Sequence, residues 1–591
     1  GAPAEALRHF EQALKLWDAV AEDQRPTDVT ELVLLSRASW SAGTAGQPER
    51  ALAFARSATK VVDPAADPEK AAEMWRRVAQ ASQGLDGHDE EMYEAIDHAW
   101  RLVEDRPASM SRAWVLAVSA SCLRYARDLP LARERAELAV RDGRASGAAG
   151  AVADALATLG LLDGSEDRTE SAREHLLGAI ECAVDADAVN TELRARYFLG
   201  LHHYDRGDLA DALRVFEEAS CRAKVKGMIW SGFGLEVRVL QALTLYHVGR
   251  WDESVEAAEP PGLAVSSTVI ARLAAVGTHV AVNRGDFEHA ERLIGELRKD
   301  WHRDVQIALI TGGTGAELAL WRGRPEQAVE RVVDTIDWTR KLGDEWLLAG
   351  IRLGALGIAA HADQAAKARR RRDKAGEATA VAAGHRMSDH ARDTAANGRP
   401  RTGVLGPEGR AWLARAEAER SRLTGAGDPE LWARAVAEFD FGMVFERAEC
   451  RWRLAEALLG ADRRDEAAVH LREVGEFART IGAAPLLDSV TRAARRARIT
   501  LRADEAEPRD HVDPFTPRER SVLGLVALGR TNREVGEELY ISEKTVSVHL
   551  TRIMAKLGAG RRAEAVAIAY DRGLLDPDQA RSEPRTRPVP P

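Results

Sequence analysis

Residues 515–558 read FTPRERSVLGLVALGRTNREVGEELYISEKTVSVHLTRIMAKLG, and three helix starts are written into them. Thr516-Pro517-Arg518-Glu519 is a capping box with proline at the first helical position. The threonine hydroxyl can accept from the backbone three residues on, and the glutamate can reach back. Thr531-Asn532-Arg533-Glu534 repeats the box just after Gly529, a residue suited to stopping a helix. Ser542 is the N-cap of a third helix opening Glu543-Lys544-Thr545. Gly558 can terminate that helix, and a fourth is expected from about Arg562 to Tyr570. Only Tyr540-Ile541-Ser542 separate the second and third helices, the tight turn that a helix-turn-helix requires.

The third helix has two unlike faces. Val546, Leu550, Ile553 and Leu557 recur at helical spacing and form one apolar stripe. Val522, Leu523, Val526, Val535 and Leu539 can supply the other side of a small core. Lys544, Thr545, Ser547, Val548, Thr551 and Arg552 are left pointing outward. Hydroxyls and cations can bond phosphates or base edges, and a valine can touch a thymine methyl, so this set suits a helix in a major groove. Residues 515–575 hold 10 Lys and Arg against 7 Asp and Glu, in a chain whose net charge is −10. The attractive field lies where phosphates would be.

The whole run resembles the LuxR-type helix-turn-helix of bacterial regulators, through TPRE, the Gly-Arg-Thr-Asn-Arg-Glu turn and ISEKTV–VH–KLG in order. The resemblance covers about 60 residues. It implies that the third helix enters the major groove, with Lys544, Thr545, Ser547, Val548, Thr551 and Arg552 at the groove or flanking phosphates. It also implies backbone contacts from Thr531, Asn532 and Lys556, and binding to double-stranded promoter DNA as a homodimer. Many members carry lysine where this chain has Ser547 and Thr551.

Upstream, a token recurs. Gly46 is followed by Ala51 and Ala55, Gly207 by Ala212 and Phe216, and Gly249 by Ser254 and Ala258. Gly285 precedes Ala290 and Ile294, and Gly323 precedes Ala328 and Val332, with weaker copies after Gly87, Asp128 and Glu166. Glycine ends one helix in a left-handed conformation. The next begins within a few residues, and its small residue lets two helices approach closely. Two helices in about 40 residues describe an α-solenoid similar to tetratricopeptide repeats. The expected fold is therefore all-α: a TPR-like array over 1–361, an irregular basic and Gly/Pro segment over 362–408, and further repeats over 409–500. A linker over 501–514, the LuxR-type domain over 515–575 and a disordered tail over 576–591 complete it. The run Arg369–Arg372 reads as a solvated helix face.

Composition agrees with helix. Hydrophobic residues are 45%, charged residues 30% and aromatics only 5%, and alanine with long charged side chains loses little freedom in a helix. No stretch approaches the roughly 20 apolar residues that cross a bilayer. Cys122, Cys182, Cys221 and Cys450 lack metal or redox spacing and are expected as free thiols in the cytoplasm. No catalytic set or metal site stands out; His202-His203 and the 14 tryptophans are expected to pack. The chain is expected not to be an enzyme.

Repeats followed by such a domain resemble the C-terminal part of the large ATP-binding, MalT-like LuxR-type regulators. The chain has no GxxxxGK[ST], and Thr311-Gly312-Gly313-Thr314-Gly315 reads as a closely packed helix rather than a phosphate loop. No cofactor is expected in this chain; ATP would enter only through an ATPase domain preceding Gly1. The leading expectation is a transcription regulator whose array senses an unidentified protein, peptide or small molecule. The alternatives are an interaction scaffold with a vestigial DNA-binding domain, and part of an ATP-driven switch.

Overall fold

The computed structural model describes residues 3–83, 85, 87–259, 266–341, 346–501, 515–571 and 574–575. They contain 28 α-helices and two short 3-10 turns, and no strand among the described residues. The chain divides into two units, 1–501 and 502–591.

The first unit begins with α1 (Pro3–Trp17), α2 (Glu31–Thr44), α3 (Pro48–Val61), α4 (Pro68–Ser82), α5 (Asp89–Arg101) and α6 (Met110–Ala126). It continues through α7 (Leu129–Ser146), α8 (Ala149–Ser165), α9 (Thr169–Asp185), α10 (Val189–Arg206), α11 (Leu209–Val225) and α12 (Gly232–His247). Next come α13 (Trp251–Ala258), α14 (Ser267–Arg284), α15 (Phe287–Leu297), α16 (Val305–Trp321), α17 (Pro325–Lys341) and α18 (Ala349–Arg371). It ends with α19 (Lys374–Asn397), α20 (Pro407–Leu423), α21 (Pro429–Glu438), α22 (Val444–Gly460), α23 (Arg464–Ile481) and α24 (Ala484–Ala497).

Each even-numbered helix from α2 to α22 pairs with the helix after it, and from α4 to α18 each even helix also touches the next even one. That is a TPR-like solenoid, with the even helices as its inner row. The recurring tokens fall where expected. Gly46, Gly207, Gly249, Gly285 and Gly323 all have φ between +68° and +88°, and Ala51, Ala212, Ser254, Ala290 and Ala328 are buried. Only a residue tolerant of the left-handed region can close such a turn. Where glycine is absent, Arg127, Asp167, Arg372 and Asp462 take that conformation (φ +57° to +67°). Such tips lack the glycine of the token, as in the weaker copies after Asp128 and Glu166.

One expectation is corrected. Residues 362–408, expected to be irregular, are mostly helix: α18 is 23 residues long and α19 is 24. The basic run forms the last turn of α18, where cations suit the helix dipole, and alanines carry both helices. The Gly/Pro-rich irregularity is confined to 398–406, and Pro407 already starts α20. The stretch Thr311–Gly315 is buried helix, as expected; a Cβ on Gly312 would collide with Thr335 and one on Gly313 with Arg352.

The array also folds back on itself. Gly207, at the end of α10, lies against Pro407 and Phe441; Gly249 lies against Val444, and Gly285 against Pro485. Thus the C-terminal ends of α10, α12 and α14 meet the N-terminal ends of α20, α22 and α24, an arrangement that opposes helix dipoles of unlike sign. A polar contact crosses the same seam: Tyr246 Oη donates to Glu446 Oε1 at 3.3 Å while accepting from Asn283 Nδ2 of α14 at 3.0 Å. Trp251 and Trp432 are almost fully buried and Trp321 stacks on Trp452, so these tryptophans serve packing, whereas Trp40 is 55% exposed. No helix is long and apolar enough to cross a membrane among the described residues. The linker expected over 501–514, apart from Leu501, and the tail over 576–591 lie outside the described residues.

The second unit contains α25 (Pro517–Ala527), α26 (Asn532–Leu539), α27 (Glu543–Leu557) and α28 (Arg562–Asp571). Its own core comprises Phe515, Val522, Leu523, Val526, Val535, Val546, Leu550, Ile553, Leu557, Ala565, Ala569 and Leu574.

Candidate nucleic-acid interface

The site is built from caps. Both capping boxes form: Thr516 Oγ1 accepts from Glu519 N, and Thr531 Oγ1 accepts from Glu534 N, with each glutamate reaching back to its N-cap amide. Ser542 Oγ accepts from Thr545 N at 3.1 Å and starts α27. The turn between α26 and α27 is tight because Gly536 has no side chain; a Cβ there would stand 2.6 Å from the carbonyl oxygen of Ile541. Tyr540 closes the turn at φ +55° and is 95% exposed.

With α27 so placed, Val546, Leu550, Ile553 and Leu557 turn inward and are buried. Lys544, Ser547, Val548, Thr551 and Arg552 are exposed and Thr545 is half-buried beside the cap. Val548 keeps 45% of its surface open, an apolar group facing solvent. No ion pair engages Lys544 or Arg552 among the described residues. Thr551 Oγ1 donates to the Ser547 carbonyl at 2.9 Å, so its hydroxyl oxygen remains free to accept.

The three flanking residues have intramolecular duties. Thr531 spends its hydroxyl on the capping box, also donating to Glu534 Oε2 at 2.9 Å. Asn532 Nδ2 donates to Ser547 Oγ at 3.1 Å, while Asn532 Oδ1 accepts from Arg562 Nη1 at 3.0 Å. Lys556 Nζ donates to Glu519 Oε2 at 2.5 Å. That bond and the Thr516 amide hold the Glu519 carboxyl down to about 2, below an ordinary glutamate. The Thr531 amide likewise lowers Glu534. Lys556 therefore locks α27 to α25, and Arg562 of α28 orients Asn532, which orients Ser547. Sequence reasoning did not find Arg562, because its partner is 30 residues away and no local pattern marks it.

Residues 513–569 match the family described as "Bacterial regulatory proteins, luxR family". The C-terminal unit carries a luxR-family helix-turn-helix domain. Over 100 residues the chain is 35% identical to the "DNA-binding transcriptional activator DevR/DosR" of Mycobacterium tuberculosis, which covers 17% of this chain and 45% of that protein. Over 92 residues it is 36% identical to the "Transcriptional regulatory protein LiaR" of Bacillus subtilis, 16% of this chain and 42% of that one. The chain thus spans less than half the length of these curated relatives, and what is shared is the luxR-family domain. Among solved structures, a Rap protein complexed with competence and sporulation factor covers 76% of this chain and 98% of its own, at 10% identity and a TM-score of 0.28. Yeast Tom70 gives 13% identity, 85% and 94% coverage and 0.24. These scores carry no argument about what the array does. None of these matches bears on the resemblance to large ATP-binding regulators.

Proposed function

We propose that this chain is a transcription regulator that reads promoter DNA through the exposed face of α27 and adjusts that binding through its helical array. The observation that carries the reading is that face: Lys544 and Arg552 without ion pairs and Val548 open to solvent, on a domain whose sequence matches DNA-binding regulators. Arg552 and Lys544 supply phosphate or guanine contacts, Ser547 and Thr551 hydroxyl contacts, and Val548 the thymine-methyl contact. Thr545 lies at the helix start, where backbone amides face phosphate. Thr531, Asn532 and Lys556 flank the groove and hold the reading helix at its angle.

The chain acts by binding and not by catalysis. Two copies engage two half-sites, and an effector or partner held by the solenoid alters self-association; linked half-site contacts then change affinity together. Genome-wide mapping of bound sites tests the reading. The expected result is a set of promoter sites sharing a two-half-site motif, lost in the Lys544→Ala, Arg552→Ala double variant. A bound set with no common motif, unaltered by that variant, would overturn it.

A further inference from the structure

The hairpin of α18 and α19 carries a second cationic surface that the helix-turn-helix does not account for. From Lys367 to Lys374 the chain has six cations and one acid, Asp373. Two of the cations are used by the fold. Lys367 Nζ lies 3.4 Å from Glu326 Oε1 in the first turn of α17. Arg369 bonds Glu377 Oε1 at 2.6 Å and also the carbonyl of Leu423, the last residue of α20. Asp373 is occupied too, accepting from the Gly376 amide at 2.9 Å as the N-cap of α19. Arg370, Arg371, Arg372 and Lys374 remain exposed, with no ion pair among the described residues.

Their position follows from helix length. The adjacent inner helix α16 has 17 residues against the 23 of α18, a difference of about 9 Å. Because Lys367 meets the start of α17 and Arg369 meets the end of α20, residues 370–374 lie beyond both neighbours. The helix dipole supplies roughly half a negative charge at that end, which cannot balance four cations. Arg372 further holds a left-handed conformation (φ +58°) that an L side chain adopts only at some cost. Four exposed cations without an ion pair among the described residues, with only the Asp373 carboxylate between them, make this tip a cationic patch in a chain whose net charge is −10.

We propose that the α18–α19 tip is a phosphate-binding element that adds sequence-independent contacts to duplex DNA. The fork of each guanidinium matches a phosphate. The proposal rests on the DNA-binding reading above, since that reading brings a polyphosphate to this chain.

The test is the salt dependence of binding by the full chain to a mixed-sequence duplex of about 40 base pairs. One variant combines Arg370→Gln, Arg371→Gln, Arg372→Asn and Lys374→Gln, with asparagine chosen for its tolerance of the left-handed turn. Each lost phosphate contact lowers the slope of log affinity against log salt by about 0.9, so a fall of up to about 3.6 is expected when all four cations are removed. A second variant with lysine at all three arginines keeps the charge and is expected to keep the slope. An unchanged slope in the neutralised variant overturns the proposal, including the case in which the tip binds polyglutamate instead. The Lys544→Ala, Arg552→Ala variant separates the two ideas. If it abolishes motif preference while the tip variant leaves every slope intact, the tip proposal fails and the reading helix stands. If the parent chain shows no salt-dependent DNA binding, the underlying reading fails.

Discussion

Glu519 ties three parts of the DNA-binding domain with one carboxylate: it caps α25, reaches back to Thr516, and receives Lys556 from α27. Its folded-state value of about 2 is below the roughly 4.3 of an unfolded chain. A depressed carboxylate stabilises the fold above its unfolded pKa and loses that contribution as pH falls through the folded one. The melting temperature of the isolated domain should therefore drop between pH of about 4.5 and about 2, and Glu519→Gln should flatten that drop. Tyr540 makes the opposite case. A 95% exposed side chain at φ +55° contributes strain without packing, so Tyr540→Gly should leave thermal stability equal or higher, by up to about 1 kcal/mol. A clear loss of stability would show that the ring has a partner. At this scale the caps were legible, because a capping box is a four-residue affair. The Arg562–Asn532–Ser547 relay was not, because its members meet only after three helices pack.

Elements in the array are held by close contacts of small residues and by buried polar links. Gly200 of α10 faces Phe216 of α11, and any Cβ there would overlap the ring. Phe216 is fully buried, so Gly200→Ala forces repacking and should cost about 2 kcal/mol in a denaturant titration; a neutral result would mean the two helices can slide apart freely. Asp163 of α8 is 1% exposed and accepts from Arg133 of α7 at 2.9 Å and His175 of α9 at 2.8 Å. Arg168 and Ser171 bond it as well, and these donors hold its carboxyl far below the usual range against the opposing effect of burial. Asp163→Ala should cost about 2–3 kcal/mol, the value of hydrogen bonds to a buried charge. The hairpin pattern was legible at Gly46, Gly207, Gly249, Gly285 and Gly323, where glycine closes the tip and a small residue follows at a fixed distance; Gly147 and Gly482 close tips without that token. It failed at Arg372, where an arginine takes the left-handed position at the tip of the longest hairpin, between α18 and α19; the stretch 362–408 reads as a break in the repeat, yet most of it is helix.

For the molecule as a whole, the sequence pointed to both units but not to the contacts between distant hairpins within the array. Tyr246 and Glu446 lie 200 positions apart, and Arg401 forks onto Asp205 at 2.6 and 2.7 Å. Nothing periodic announces such pairs, because they depend on how far the solenoid turns per repeat. Function was legible only at the C-terminal domain, where a short local pattern is also a chemical surface; the array's inner row offers no comparable pattern to read. The central claim is that the exposed face of α27 discriminates DNA sequence. It is tested most directly by measuring the affinity of the full chain for a site recovered by genome-wide mapping and for its scrambled version, at fixed salt. The wild-type chain should prefer the site by about a thousandfold or more. The Lys544→Ala, Arg552→Ala variant should lose most of that preference, since each base-edge contact contributes about 1–3 kcal/mol. Equal loss on both duplexes with the preference intact would contradict the claim, reducing α27 to a phosphate contact and moving sequence reading elsewhere.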